Sequence, residues 1–270
     1  MITGLSLQQT TARMGVYYNA TMSALSHSLT RLASGKNFNE PTDGIADYMR
    51  VQRVQRDTRG FETISRQLQE GVNMARMAET VGMGIVDSLQ EMERLALNYW
   101  DHQSDPDAQA RFEQEFDGLK QNIETLIGGN YYFGVNLMQV GTVASIGVDP
   151  NDVSKTIEFE LDAGDIVSMA GVNVDLGNEA ASMAELDTQL SAAFSYLSEV
   201  SGFLHSTEAQ LSVSESMIRN GRQFEESYNG VDDVQELNKV TALDIRQQAS
   251  LSMIAQGNMH RMGVLKLIEF

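Results

Sequence analysis

The two ends of this chain carry apolar helical stripes that neither end can bury alone. From Met14 the apolar residues fall at Met14, Tyr18, Met22, Leu25, Leu29 and Leu32, in steps of 4, 4, 3, 4 and 3. Such steps are close to a heptad seam. A helix over residues 5–34, at ~1.5 Å per residue, is about 45 Å long. At the other end, Asp232 or Asp233 suits the N-cap of a last helix carrying Val234, Leu237, Ala249, Leu251 and Ile254. That helix finishes in Val264, Leu265, Leu267 and Ile268, a cluster that would aggregate if left exposed. A chain built this way folds its ends against each other or packs them against copies of itself.

The stretch between the ends reads in order. Gly35 stands where a helix C-cap belongs. The run from Asn37 to Gly44 is rich in breakers and reads as a loop, with Thr42 or Asp43 placed to cap the next helix. Residues 45–98 read as helix, with Phe61, Ile64, Leu68, Val72 and Ala75 in one stripe, continued by Ile85, Leu89, Met92, Ala96 and Tyr99. Gly82 and Gly84 weaken its middle by roughly 1 kcal/mol each relative to Ala. A turn at Trp100–Asp107 leads to a shorter amphipathic helix on Phe112, Phe116, Leu119, Ile123 and Leu126.

The pattern then changes period. Ile157, Phe159 and Leu161 alternate with Glu158, Glu160 and Asp162, as half-buried strands do. Val172, Val174 and Leu176 alternate likewise, so 131–177 reads as a small antiparallel β unit. Helix returns near Met183 and holds a heptad-like seam to Ile218, with a break expected at Asn220-Gly221 or Asn229-Gly230. The expected fold is mainly α: a long antiparallel helical coiled-coil bundle from both chain ends with a small central β unit. The segments are 1–44, an inner helix and linker; 45–138 and 183–230, the two halves of an outer helical domain; 139–182, a short β-rich exposed segment; and 231–270, the second inner helix.

Charge follows the same plan. The net charge is −18, which excludes nucleic acid as a partner, because phosphate binding needs clustered Lys and Arg. Residues 141–190 hold ten acidic residues and one basic residue, and so carry half the net charge. Such a segment is a solvated surface; the near-neutral ends are free to be buried. No cysteine removes disulfides and thiolate chemistry. No run of 18 apolar residues is present, so no membrane helix is expected. The N-terminus lacks a basic region followed by an apolar run, so no cleavable secretory signal is expected.

Several segments resemble the bacterial flagellins. Leu32–Lys36 followed by Asn39–Ala46 resembles the segment joining the first two flagellin helices. Gln69–Ala75 is similar to a motif further along the second helix, and Phe133–Met138 to the turn that follows the helical region. Gln247–Ala249, Met253–Asn258 and Val264–Leu267 are similar to the flagellin C-terminus. Each motif is weak alone; their order and placement at both termini make the set specific. The resemblance implies a structural subunit that self-assembles into the flagellar filament for swimming, not an enzyme. It implies terminal helices forming an inner tube, with Met14, Tyr18, Met22, Leu25, Leu29, Leu32, Leu251, Ile254, Val264, Leu265, Leu267 and Ile268 packing between subunits. It implies export through the flagellar type III channel to the outside of the cell. The partners implied are further copies of the chain, an export chaperone and the export apparatus, the filament cap and the hook–filament junction protein; no membrane partner, cofactor or metal is implied.

Three stretches depart from the family. Residues 41–44 read Pro-Thr-Asp-Gly where flagellins commonly carry paired Asp, and the Pro is similar to the junction protein of the same superfamily. Gly257 stands for the usual Ala. Leu89, Glu91, Glu93, Arg94 and Leu95 fall on a basic stretch that an animal innate immune receptor reads in enteric flagellins; here Glu91 and Glu93 stand where Arg is usual. Two charge reversals at a contact patch repel a complementary partner, so weak recognition is expected. The alternatives are the junction protein itself and, further off, a non-flagellar coiled-coil interaction protein. Chemistry has little hold on the sequence: the four His are dispersed without ligand spacing, and neither a phosphate loop nor a nucleophile elbow occurs. Of fifteen Met, Met14, Met22, Met74, Met77, Met83 and Met92 are expected on apolar helix faces, mostly as core filling.

Overall fold

The structure, a computed structural model, describes the backbone of residues 2–138, 141–162, 174 and 176–268, and side chains from residue 12 onward except at 261 and 264–268. The chain divides into two compact units, Met1–Arg56 with Gly221–Phe270, and Asp57–Asn220. Among the described residues five long helices carry both: α1 (Ile2–Ser34), α2 (Ile45–Asp101), α3 (Pro106–Gly129), α4 (Glu179–Phe224) and α5 (Asp233–Ile268).

In the first unit α1 and α5 pair along their length. Gly35, at φ +67°, ends α1 in the left-handed conformation that glycine adopts without strain. Asp232 caps α5, accepting from the N–H groups of Val234 (3.1 Å) and Gln235 (3.0 Å). Asp43 does not cap α2. Its Oδ2 turns back and accepts from the N–H groups of Asn39 (2.9 Å) and Glu40 (3.0 Å), closing the Pro41–Asp43 turn. Of the two breaks left open by the sequence, α4 runs through Asn220-Gly221, widens into a π-helical turn at Glu225–Asn229, and ends at Gly230.

The second unit is built on α2, α3 and α4. Gly71 of α2 meets Phe203 and Thr207, and Gly82 meets Tyr196 and Leu197, so α4 runs antiparallel to α2. On the other side Ser88 accepts from Asn122 of α3 (3.3 Å), and Gly84 faces Leu126. The continuous core joins Leu68, Ile85, Leu89 and Met92 of α2 to Phe116 and Ile123 of α3 and to Tyr196, Val200 and Phe203 of α4. Asp105 caps α3 through the N–H groups of Asp107 and Ala108, both at 3.2 Å, with Pro106 at the first helical position.

Among the described residues the small β unit consists of two hairpins, each its own two-stranded sheet. β1 (Tyr131–Tyr132) pairs with β2 (Val135–Asn136), and β3 (Gly141–Gly147) with β4 (Thr156–Leu161), both antiparallel. Phe159 and Leu161 of β4 point into the core, and Phe159 stacks on Phe203 at 4.8 Å. Of the second expected strand, Val172 lies outside the described residues; Val174 and Leu176 are described, and neither is in a strand. Trp100 takes up the Leu176 carbonyl instead (2.8 Å).

Candidate self-association surfaces

The α1–α5 pair has a regular buried face. On α1 it runs through Met14, Tyr18, Thr21, Leu25, Ser28 and Leu32; on α5 through Glu236, Val240, Leu243, Gln247, Ser250, Ile254 and Gly257. Both follow heptad steps of 3 and 4. The intramolecular seam therefore passes through Thr21 and Ser28. Met22 and Leu29 lie beside it, 41% and 47% exposed. Apolar spacing alone jumps the two hydroxyl residues, which is why the sequence places Met22 and Leu29 in line. Met14, Tyr18, Leu25, Leu32 and Ile254 are half-buried on the seam, while Leu251 is exposed. Val264, Leu265, Leu267 and Ile268 continue α5, but their side chains lie outside the described residues.

The seam is thus mixed, with hydroxyl and charged residues set among its apolar ones, and further apolar residues lie outside it. Ser28, Thr21, Ser250 and Glu236 sit inside, whereas Val16, Tyr17, Val234, Leu237, Ile245 and Met259 face outward, each more than half exposed. Surface helices of soluble proteins normally carry polar residues at such outward positions. Glu236 is 8% exposed. The Ser28 hydroxyl beside it does most to hold its carboxyl below the usual range, though without a well-aligned hydrogen bond; burial opposes this, and Lys239 (3.3 Å) and Arg31 assist.

The two linkers of this unit close on each other. Lys36 and Gly230 form an antiparallel bridge, the Asn37 N–H donates to Asn229 O (2.7 Å), and the Val231 N–H to Gly35 O (3.1 Å). Lys36 Nζ pairs with Glu225 (2.9 Å), which also accepts from Gln55 (2.5 Å). Tyr228 stacks on Phe224 at 4.8 Å and donates its hydroxyl to Asp47, while Arg50 donates to the same hydroxyl (3.1 Å). The bond to Asp47 raises the Tyr228 phenol above its ordinary value. Asp43, its side chain 4% exposed, accepts from Arg31 (3.2 Å) with His27 at 3.5 Å. Burial is the largest single influence on Asp43 and raises it. The Glu40 and Asn39 N–H groups and Arg31 together outweigh burial and leave the carboxyl below its ordinary value.

In the second unit, the residues matched to the receptor-read stretch split by direction. Leu89 and Leu95 are each 2% exposed and belong to the core. Arg94 is paired with Glu91 (Nε 2.9 Å from Oε2), which lowers the Glu91 carboxyl and raises the guanidinium. Glu93 sits on the rim of a shallow groove lined by Leu89, Met183, Leu186, Asp187 and Leu190. Met74 and Met92 fill core, but Met77 and Met83 are 37% and 47% exposed, because they fall off the buried face of α2. Among the described residues no group of three or more His, Asp or Glu is arranged to hold a metal ion. None of the described helices is long and apolar enough to cross a membrane. Sequence reasoning missed the polar positions of the seam and the linker clasp. The available signal for the clasp was the pair of breaker sites, Gly35 and Asn229-Gly230, flanking α1 and α5.

Comparison with known proteins bears on these surfaces. Residues 6–142 match the bacterial flagellin N-terminal helical region. The chain is similar to a flagellin of Halalkalibacterium halodurans, 25% identical over 264 residues that cover 95% of this chain and 94% of that one. It is similar to a flagellin of Listeria monocytogenes, 22% identical over 94% of this chain and 95% of the relative. A flagellin of Salmonella typhimurium is 29% identical over 147 residues, 53% of this chain and 29% of that longer protein.

Proposed function

The chain belongs to the bacterial flagellins, structural subunits that self-assemble into the flagellar filament, and from this we propose that the outward apolar faces of α1 and α5 are where its copies join. The observation that carries the reading is the apolar surface left outside the seam: Val16, Tyr17, Val234, Leu237 and Ile245, each more than half exposed. Full burial of each exposed Leu, Ile or Val contributes on the order of 1.5–3 kcal/mol. A monomer leaves that stabilisation unrealised; a tube of such pairs collects it. By heptad spacing Leu265 continues the outward position of Leu237 and Leu251, while Val264 and Ile268 continue the seam.

In this reading residues 1–44 and 231–270 form the inner layer. Residues 45–138 and 183–230 form the outer helical layer, and 139–182 face solvent. The acidic 141–190 stretch keeps neighbouring filaments apart. The chain is exported by the flagellar type III apparatus with a chaperone, folds beneath the filament cap, and begins on the junction protein. Its role is structural, with no catalytic step. The test is electron microscopy of filaments sheared from cells, with mass spectrometry of their main band. Filaments lacking this chain would sink the reading, and the chain confined to the base of the filament would favour a junction role.

A further inference from the structure

The chain carries fifteen methionines and no cysteine. An oxidant that reaches it therefore meets no thiol, and the thioethers are the sulfur groups left to take up oxygen. In the second unit Met74, Met92 and Met138 are closed into the core. On the terminal helix pair the thioethers lie outside. Met22 of α1 is 41% exposed, and Met253, Met259 and Met262, which stand together near the end of α5, are 51%, 61% and 64% exposed.

These four side chains are placed so that oxidation changes the surface of the pair and leaves its seam alone. None of the three on α5 falls on the seam, which runs there through Ser250, Ile254 and Gly257. Met259 repeats the outward position of Ile245 two heptads on. Met22 lies beside the seam, and its sulfur accepts from Gln247 Nε2 across the pair (2.8 Å). A thioether at such a place is apolar and pliable and suits burial against another apolar surface. A sulfoxide is polar and chiral and disrupts such burial.

We propose that Met22, Met253, Met259 and Met262 form an oxidation-sensitive surface through which a peroxide or a hypohalous acid turns assembly off. With hydrogen peroxide, the thioether sulfur attacks one peroxide oxygen, the O–O bond breaks and an S–O bond forms. The remaining oxygen leaves as water; sulfur gives up two electrons and the peroxide takes them. On α5 the new oxygens meet solvent in the free subunit, so the fold stands. At Met22 the sulfoxide oxygen accepts from Gln247 in place of the sulfur. Buried against a neighbouring copy, the same oxygens lose their water without gaining donors, and association is weakened. The control rests on the filament reading above, and it is reversible, because methionine sulfoxide is reduced enzymatically to the thioether.

Peroxide treatment of the full-length monomer tests it. Peptide mass spectrometry should find oxygen on the four thioethers while Met74, Met92 and Met138 stay reduced. The oxidised monomer should melt as the reduced one does, while its critical concentration for assembly rises about tenfold or more. Methionine sulfoxide reductase should bring it back. A fourfold variant, Met22→Leu, Met253→Leu, Met259→Leu and Met262→Leu, keeps volume and apolarity and leaves the exposed Met49, Met77, Met83 and Met217 to react. It should assemble like wild type before and after peroxide. Oxidised wild type that assembles at the concentration of the reduced protein would overturn the proposal, as would four thioethers that resist peroxide or a variant that loses assembly to peroxide as wild type does. Reduced wild type that never polymerises would instead sink the filament reading itself.

Discussion

Gly82 and Tyr196 are matched in shape: a Cβ on Gly82 would stand 2.9 Å from Tyr196 Cε1 and 2.6 Å from Leu197 Cδ2. Tyr196 is fully buried there, its hydroxyl reaching the carbonyl oxygens of Ala78 and Leu137 at 3.4 Å, and burial pushes its phenol well above the ordinary value. The approach of Tyr196 and Leu197 to α2 depends on that missing methyl.

Gly82→Ala and Gly84→Ala should therefore move in opposite directions. A methyl at Gly82 forces Tyr196 or Leu197 off its position and should destabilise the second unit by about 1–3 kcal/mol. A methyl at Gly84 meets Leu126 Cδ1 at an ordinary 3.5 Å and should stabilise α2 by about 0.5–1 kcal/mol. Urea unfolding of the two monomers checks this; equal shifts of one sign would contradict the packing.

Acid should loosen the first unit before the second. Asp43 and Glu236 both titrate below their ordinary values when folded. The folded unit then binds fewer protons than the unfolded chain. Its extra stability is fully present above the ordinary carboxylate range, about pH 4, and is lost as pH falls through the lowered values. Amide protection along α1 and α5 should drop over that interval while protection of the α2–α4 core persists. The pair Asp43→Asn and Glu236→Gln should flatten the pH dependence; a dependence as steep as wild type would place its origin elsewhere.

Tyr228→Phe isolates the hydroxyl at the linker clasp. The ring keeps its stack on Phe224, and the bonds to Asp47 and from Arg50 are lost. The first unit should lose about 1 kcal/mol. The backbone bridge between Lys36 and Gly230 should open more often, read as faster exchange of the Asn37 and Val231 amides. Unchanged exchange would mean that the bridge stands without Tyr228.

What the sequence showed follows from which interactions are local. Helix spans were legible because 3.6-residue spacing and breakers such as Gly35 and Pro106 act within a turn or two. The β3–β4 hairpin was half legible, since β4 alternates but β3, GTVASIG, does not. The α1–α5 seam was legible as a pairing and illegible in detail: Thr21 and Ser28 complete the heptad, and a hydroxyl gives no apolar signal. Gly82 looked like a weak point because its partner, Tyr196, is over a hundred residues away. The clasp is also non-local, joining Lys36 to Gly230.

Innate receptor recognition should be weak and restorable. On the resemblance, Glu91 and Glu93 stand where flagellins usually carry Arg, and in the structure Arg94 is held by Glu91. Leu89 and Leu95 are buried, so the solvent-facing part of the stretch is dominated by its charges. Glu91→Arg with Glu93→Arg should raise potency in a receptor-reporter assay by at least tenfold. Full potency of the unmodified monomer would show that these charges do not govern the contact.

Assembly should fail when charge is placed on the outer face of α5 while the monomer stays intact. Ile245 is 62% exposed and shares its heptad position with Met259, fourteen residues on; Leu237, 55% exposed, shares its own with Leu251. None of the four lies at a 3–4 step of the seam to α1. Ile245→Asp should then change monomer stability by less than about 0.5 kcal/mol, as at any exposed site. If a neighbouring copy buries Ile245, the same change forfeits about 1.5–3 kcal/mol of apolar transfer and adds the cost of desolvating a carboxylate. At 1.4 kcal/mol per factor of ten, the critical concentration for polymerisation should rise at least tenfold. Removing residues 264–268 should abolish polymerisation outright and leave the monomer soluble. Sedimentation of both variants beside wild type decides it: filaments at the wild-type critical concentration would mean that copies meet on some other face of the helix pair.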